Sequence, residues 1–284
     1  LPETTAGDRA AWQALFLSVI GSPDPYGRQL NGMGGGISSL SKAVVIGPPS
    51  RDDADLDYTF AQVAVDAAAV DYSANCGNLS SAVGPFVIDE GLMKIDPAVD
   101  ECLVRIHNTN TAKIIHAKIP LVGGAAAVVG DLEIPGVHGT GAPIVLDFLD
   151  PAGAATGRLL PSAALVDELD GVEVSMVDAS NPVVFVAAAA LGVRGNESPE
   201  ALEADAELMA RLERLRSAAA VAMGLAGTPE DASRANPKIA IVAPPADYVA
   251  INGKAVGAAA SDILIRMVSM GRIHRAVALT SAMC

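Results

Sequence analysis

Short apolar runs interrupted by glycine and proline recur along the whole chain, and they limit what it can fold into. The longest candidate, residues 183–193, falls far short of the roughly 20 apolar residues that a membrane helix needs. Strand-like runs alternate irregularly with helix-like stripes, which predicts an α/β or α+β chain. Apolar residues make up 51% of the chain but aromatic residues only 4%, so the core must be Ala, Val, Leu and Ile. That apolar content also excludes a disordered chain. A length of 284 residues allows one large domain or two modest ones.

The first helix is predicted over residues 8–20. Ala11, Leu15 and Val19 form its apolar stripe beside Trp12 and Phe16, and Gly21 and Pro23 close it. A polar, glycine-rich stretch over 27–41 leads into a strand at 43–46, which Gly47-Pro48-Pro49 ends. Further strands are predicted at 58–65, 67–72, 99–107, 113–119, 144–148, 172–178, 183–187 and 239–242. A buried helix over 79–91 contains Gly84 and Pro85, so it either kinks there or hands over to another element. Ser198-Pro199 opens the longest helix, which is expected to reach Gly227. Leu202, Leu208, Met209, Leu212 and Leu215 face inward; Glu203, Asp205, Glu207, Arg211, Glu213, Arg214 and Arg216 face solvent. A last helix is predicted over 258–271.

The break at Gly139-Thr140-Gly141-Ala142-Pro143 divides the chain into halves, 1–138 and 139–284. A faint echo runs between them. Ser41-Lys42-Ala43-Val44-Val45 resembles Asn181-Pro182-Val183-Val184-Phe185, and each half has a small-residue stretch leading to a cysteine, Cys76 or Cys284. Without a fixed period, repeat and coincidence stay equally open.

Acidic residues outnumber basic ones 33 to 19, for a net charge of −14. That excludes nucleic acid as a partner, and any anion site must be built locally. No apolar stretch calls for a membrane. Cys76, Cys102 and Cys284 are three unpaired cysteines with no signal-like start before them, which points to a cytoplasmic compartment. His107, His116, His138 and His274 are scattered, and no Cys/His spacing suits a metal.

Cys76 is the leading chemical candidate. It stands in Asn75-Cys76-Gly77-Asn78, where a strand gives way to a helix. A helix N-terminus offers N–H groups that favour a thiolate or hold a carboxylate. The alternative is a small buried hydrophobe. Lys42, between a Gly/Ser loop and an apolar run, is either a desolvated base or a surface lysine at a strand edge. Gly34-Gly35-Gly36 fits neither nucleotide-binding fingerprint; it is an irregular turn or a nest of N–H groups for a carboxylate. Cys102 lies in an apolar strand and reads as structural. His274 reads as packed or exposed.

Several co-ordered stretches carry a resemblance that covers nearly the whole chain. They are Gly32-Met33-Gly34-Gly35-Gly36-Ile37-Ser38-Ser39-Leu40-Ser41-Lys42, Asp57-Tyr58-Thr59-Phe60-Ala61-Gln62-Val63, and Asn75-Cys76-Gly77-Asn78 running into Val83-Gly84-Pro85-Phe86. His107-Asn108-Thr109-Asn110-Thr111, the Gly139 break and Ala152-Gly153-Ala154-Ala155-Thr156-Gly157 follow. With these the chain resembles the PrpF family of isomerases, which includes 2-methylaconitate cis–trans isomerase, 3-methylitaconate Δ-isomerase and 4-oxalomesaconate tautomerase.

The resemblance implies an α+β, diaminopimelate-epimerase-like fold, with two pseudo-symmetric domains, each a curved mixed sheet around a central helix, and a cleft between them. It implies an acid/base pair of Lys42 and Cys76, and no metal or organic cofactor. It implies carboxylate binding by Gly35, Gly36, Ser38, Ser39, Asn75, Gly77, Asn78 and Asn108, with Thr140, Asn181 and Thr280 from the second half. Arg105 and Lys113 would assist only from the rim. The partner is a small unsaturated di- or tricarboxylate, and a homodimer is admitted. Ser38-Ser39-Leu40-Ser41 departs from the Asp-Pro-Leu-Thr-Ser pattern of the oxalomesaconate and methylitaconate branches and favours an aconitate-like substrate. Asp57-Tyr58-Thr59-Phe60 and residues 107–111 are as similar to the methylitaconate branch. The competing readings are an amino-acid epimerase using Cys76 and Cys284, and a non-catalytic binding protein that keeps the fold. Members usually carry an Arg-Gly-Gly-Thr-Ser-Lys-like strand before the pair matching Leu1-Pro2, and continue past the residue matching Cys284. The resemblance thus implies a chain truncated at both ends.

Overall fold

The structure is a computed structural model describing residues 7–284; the Leu1-Pro2 pair lies outside the described residues. Helix α1 (Arg9–Ile20) begins at Asp8, whose carboxylate accepts the Ala10 and Ala11 N–H groups, and ends at Gly21 with a left-handed φ of 81°. Its buried face is Trp12, Phe16 and Ile20, whereas Leu15 and Val19 of the expected stripe are exposed. Both triplets share the i, i+4, i+8 spacing. The one with two aromatic rings has more apolar area to remove from water.

The chain continues through β1 (Lys42–Gly47), β2 (Leu56–Val63), β3 (Val70–Asp71), α2 (Gly77–Asp89), β4 (Glu101–Asn108), β5 (Lys113–Val122), β6 (Ala125–Ala126) and β7 (Val145–Phe148). Their sheet has the order β1-β2-β4-β5-β6, with β3 on β2 and β7 on β5. Strands β2 and β4 are parallel, with Tyr58 opposite Asn108; β4 and β5 form an antiparallel hairpin. Helix α2 runs through Pro85 to Asp89 without handing over to another element. Gly84 has a packing reason, because a Cβ there would stand 2.7 Å from the Ile119 side chain of β5.

The rest comprises β8 (Asp167–Leu169), β9 (Val172–Ala179), β10 (Asn181–Ala187), α3 (Pro199–Ala204), α4 (Ala206–Ala222), β11 (Lys238–Ala243), β12 (Tyr248–Val249), β13 (Ala255–Val256), β14 (Leu264–Ser269), β15 (Arg272–Ile273) and α5 (Leu279–Ala282). The second large sheet has the order β15-β14-β11-β10-β9-β8, with β10 and β11 parallel and the other pairs antiparallel.

Three sequence expectations fail in this part. The single helix expected from Ser198 is two, because Asp205 ends α3 and caps α4 through the Leu208 N–H. Arg216, expected in solvent, is 3% exposed; it pairs with Glu213 and donates to the Ser233 and Asn236 carbonyls. The helix expected over 258–271 is instead a single 3-10 turn at Ala258–Ala260 followed by strand β14. Leu264, Met267 and Val268 imitate a helical stripe, but antiparallel pairing with β11, Ile239 opposite Val268, decides the conformation.

Contacts divide the chain into two compact units. One comprises the chain up to Ala43, Ala61–Ala74 and Ala152–Cys284; the other comprises Val44–Phe60 and Asn75–Pro151. In the first, Leu208, Leu212 and Leu215 of α4 pack on Met176, Val184, Ile239 and Ile241 of the second sheet. In the second, Val83, Val87, Ile106, Ile115 and Ile119 are buried, and α2 lies on β5. Among the described residues no helix is long and apolar enough to cross a membrane, and no group of three or more His, Cys, Asp or Glu could hold a metal ion.

Candidate active site

In the second unit, Cys76 is the N-cap of the 13-residue α2, in extended backbone (φ −126°, ψ 108°), and no side chain caps the helix there. Cys76 as a residue is 6% exposed. The N–H groups of Gly77, Asn78 and Leu79 come before the first intrahelical bond, from Ser80 N–H to the Cys76 carbonyl at 3.0 Å. That carbonyl also accepts the Ser80 hydroxyl at 2.8 Å and the Tyr58 hydroxyl at 3.3 Å. Tyr58 is fully buried, and burial, with the nearby Cys76, pushes its phenol well above the usual range.

The parallel register of β2 and β4 sets the next layer. Asn108 is fully buried; its amide donates to the Asn75 side-chain oxygen at 2.7 Å, and its own oxygen accepts the Asn110 N–H at 2.9 Å. Asn110 bonds both ways with the Phe60 backbone, at 2.8 and 2.9 Å, and so acts as one more strand residue beside β2. The buried Asn108 therefore holds the side chain of Asn75 in place. On the other face of the sheet, His107 Nδ1 meets Asp57 at 2.9 Å and the Ser50 hydroxyl at 3.2 Å. Both partners share one ring nitrogen, so this Ser, His and Asp set is no nucleophilic relay. Burial works to raise the Asp57 carboxyl, but the Ser50 N–H, His107 and the Ser50 hydroxyl outweigh it and hold it below the ordinary 3.8.

In the first unit, Lys42 opens β1 and is half-buried. Burial pushes the His274 imidazole down; a bond to the Ala276 carbonyl opposes this, and the positive charges of Lys42 and Lys238 add to it. The glycine-rich loop before Lys42 is ordered by Gln29, whose oxygen accepts the Gly36 N–H at 2.9 Å and the Ser41 hydroxyl at 2.7 Å. Gln62 reaches the Ser38 and Ser41 carbonyls at 2.9 and 3.0 Å. The Gly34 N–H is committed to the Ile20 carbonyl. Within the expected nest over Gly34–Gly36, the Gly34 and Gly36 N–H groups are thus used by the loop itself. Gly36 and Ser38 line a pocket that also includes Arg234 and Arg272, which pair with Asp66 at 3.8 Å and Glu203 at 3.7 Å.

Asn181 and Thr280, far apart in sequence, meet in the first unit at 2.6 Å, both buried. Thr140 is exposed on the segment between β6 and β7. The Cys284 sulfur accepts the Ala179 N–H at 3.3 Å, and burial pushes its thiol up to about 11. Cys102 is half-buried in β4 and is raised by burial and by Asp55.

The PrpF protein family model matches residues 1–284. The chain belongs to the PrpF family. It is 42% identical over 286 residues to the 3-methylitaconate isomerase of Eubacterium barkeri, covering 98% of this chain and 74% of that protein. It is 40% identical over 294 residues to the 2-methyl-aconitate isomerase of Cupriavidus necator, covering 99% and 74%. The crystal structure of methylitaconate-delta-isomerase superposes with a TM-score of 0.75 at 41% identity, over 96% of this chain and 72% of that one. This PrpF chain is an isomerase with the α+β fold of methylitaconate-delta-isomerase.

Sequence reasoning missed Gln29, Ser80, Arg234 and Arg272. A lone glutamine in a glycine-rich loop carries no pattern, and the two arginines reach Gly36 and Ser38 only through the fold. Tyr58 did carry a signal, since a tyrosine inside a buried strand must find a partner for its hydroxyl.

Proposed function

We propose that this PrpF isomerase moves, or isomerises cis to trans, a C=C bond in a small unsaturated di- or tricarboxylate, with Lys42 and Cys76 as the acid/base pair. The observation that carries the reading is Cys76 at the N-cap of the 13-residue α2, the end at which a helix presents its unbonded N–H groups. A base removes the proton γ to a conjugated carboxylate. The electron pair spreads through a dienolate onto the carboxylate oxygens, and a proton returns at the α carbon, leaving the double bond displaced. Cis–trans isomerisation follows when the dienolate rotates about its Cα–Cβ bond and the proton returns to the γ carbon, which restores the original double bond in the other configuration.

Charge developing on a carboxylate needs donors already in place. Gly77, Asn78, Asn75, Gly35, Ser38 and Ser39 supply them, with Asn181 and Thr280 serving the second half and Asn108 acting behind Asn75. The division into pseudo-symmetric halves at Gly139, a homodimeric assembly and a cytoplasmic setting belong to the same reading. Ser38-Ser39-Leu40-Ser41 favours an aconitate-like tricarboxylate over the methylitaconate class.

The test is a proton-NMR panel in deuterated water with aconitates, methylaconitates, itaconates and oxalomesaconate. Deuterium should enter one of them at the carbon that receives the proton, and Lys42→Met and Cys76→Ser should abolish the exchange. Deuteration of amino acids at the α carbon instead would overturn it.

A further inference from the structure

The Cys76 carbonyl carries more hydrogen bonds than a helix requires. Helix formation alone provides the Ser80 N–H. Two further donors converge on the same oxygen, the Ser80 hydroxyl at 2.8 Å from one turn along α2 and the Tyr58 hydroxyl at 3.3 Å from β2. Tyr58 and Ser80 are each 0% exposed, so neither hydroxyl has water to turn to. Tyr58 is itself fixed from behind, since its own carbonyl accepts the Thr109 N–H at 2.9 Å.

A carbonyl pinned from the helix and from the sheet cannot rotate. The peptide plane between Cys76 and Gly77 is then fixed, and with it the direction of the Gly77 N–H and the backbone from which the thiol projects. A backbone position held by three donors keeps a reacting group in place without help from the substrate.

From this geometry we infer that Tyr58 and Ser80 are positioning residues, which fix Cys76 through its carbonyl and so align both its thiol and the first N–H groups of α2 for the reaction. The inference rests on the acid/base reading of Cys76. It extends the site to two buried hydroxyls that touch no substrate.

The experiment compares Tyr58→Phe, Ser80→Ala and the Cys76→Ser control in the purified protein. It reads kcat and KM, thermal melting, and the rate of iodoacetamide alkylation of each cysteine, resolved by peptide mass spectrometry. Loss of one such bond should lower kcat about tenfold in each hydroxyl variant with KM changed by less than about twofold. Alkylation of Cys76 should rise relative to Cys102, because the loosened N-cap exposes its thiol. An unchanged kcat and an unchanged Cys76 to Cys102 ratio would overturn the inference. So would a kcat loss that only follows a lowered melting temperature while that ratio stays constant. If Cys76→Ser keeps full turnover, the acid/base reading fails by itself, and the alkylation ratio alone then decides whether the two hydroxyls position Cys76.

Discussion

The amide of Asn108 donates to the side-chain oxygen of Asn75 across 2.7 Å, tying the end of β4 to the residue that precedes Cys76. Asn108→Ala would leave three polar groups without this partner: the Asn75 oxygen and the Asn110 and Thr111 N–H groups. The expected cost is about 1–3 kcal/mol of stability, measured by denaturant unfolding, together with a fall in kcat. Full turnover in the variant would show that Asn75 needs no such support.

Lys42→Met and Cys76→Ser should each lower turnover by about 10²–10⁴-fold, the usual worth of a general acid or base. Circular dichroism should show both variants folded. Wild-type rates in either would remove that residue from the mechanism.

Cys102→Val should leave turnover intact and shift stability by about 1 kcal/mol at most, since the side chain is half-buried in β4 with no helix start beside it. A folded variant that loses turnover would mean that the chemistry uses this thiol.

Gln29→Leu should raise KM more than it lowers kcat. It removes the acceptor of the Gly36 N–H and the Ser41 hydroxyl, and so loosens the loop that bears Gly35, Ser38 and Ser39. Steady-state kinetics separate the two effects, and an unchanged KM would detach this loop from substrate binding.

Acid should unfold the protein partly through Asp57. Its folded value lies below the ordinary 3.8, so its contribution is fully present above that value and is lost as the pH falls through the lower, folded value. In Asp57→Asn the acid limb of the stability curve should flatten below about pH 4. An acid limb parallel to that of the wild type would contradict the assignment.

Much of the fold was legible because its signals are local. Asp8 and Gly21 mark the ends of α1, Ser198-Pro199 marks the start of α3, and strand alternation locates β2, β4, β5 and β9. Readings failed where two solutions share one spacing. The stripe of α1 falls on Trp12, Phe16 and Ile20 instead of the neighbouring triplet, and β14 has helical spacing but a strand partner in β11. The helix start at Cys76 was legible for the same local reason, a polar Asn-Cys-Gly-Asn turn opening an apolar run. Gln29, Ser80 and the Asn181–Thr280 pair became visible only through contacts distant in sequence or through hydroxyls with no pattern of their own.

Gln29 has a consequence for how the substrate is met. The stretch between α1 and β1 contains no regular element, and ordering such a chain at the moment of binding would cost about 1–2 kcal/mol for each residue fixed. Gln29 and Gln62 have already fixed it, through the Gly36 N–H, the Ser41 hydroxyl and the Ser38 and Ser41 carbonyls. The entropy of this loop is surrendered during folding, so in the proposed reaction a small carboxylate with few atoms to contribute would encounter donors already in position. Its limited binding energy would remain available for the developing dienolate.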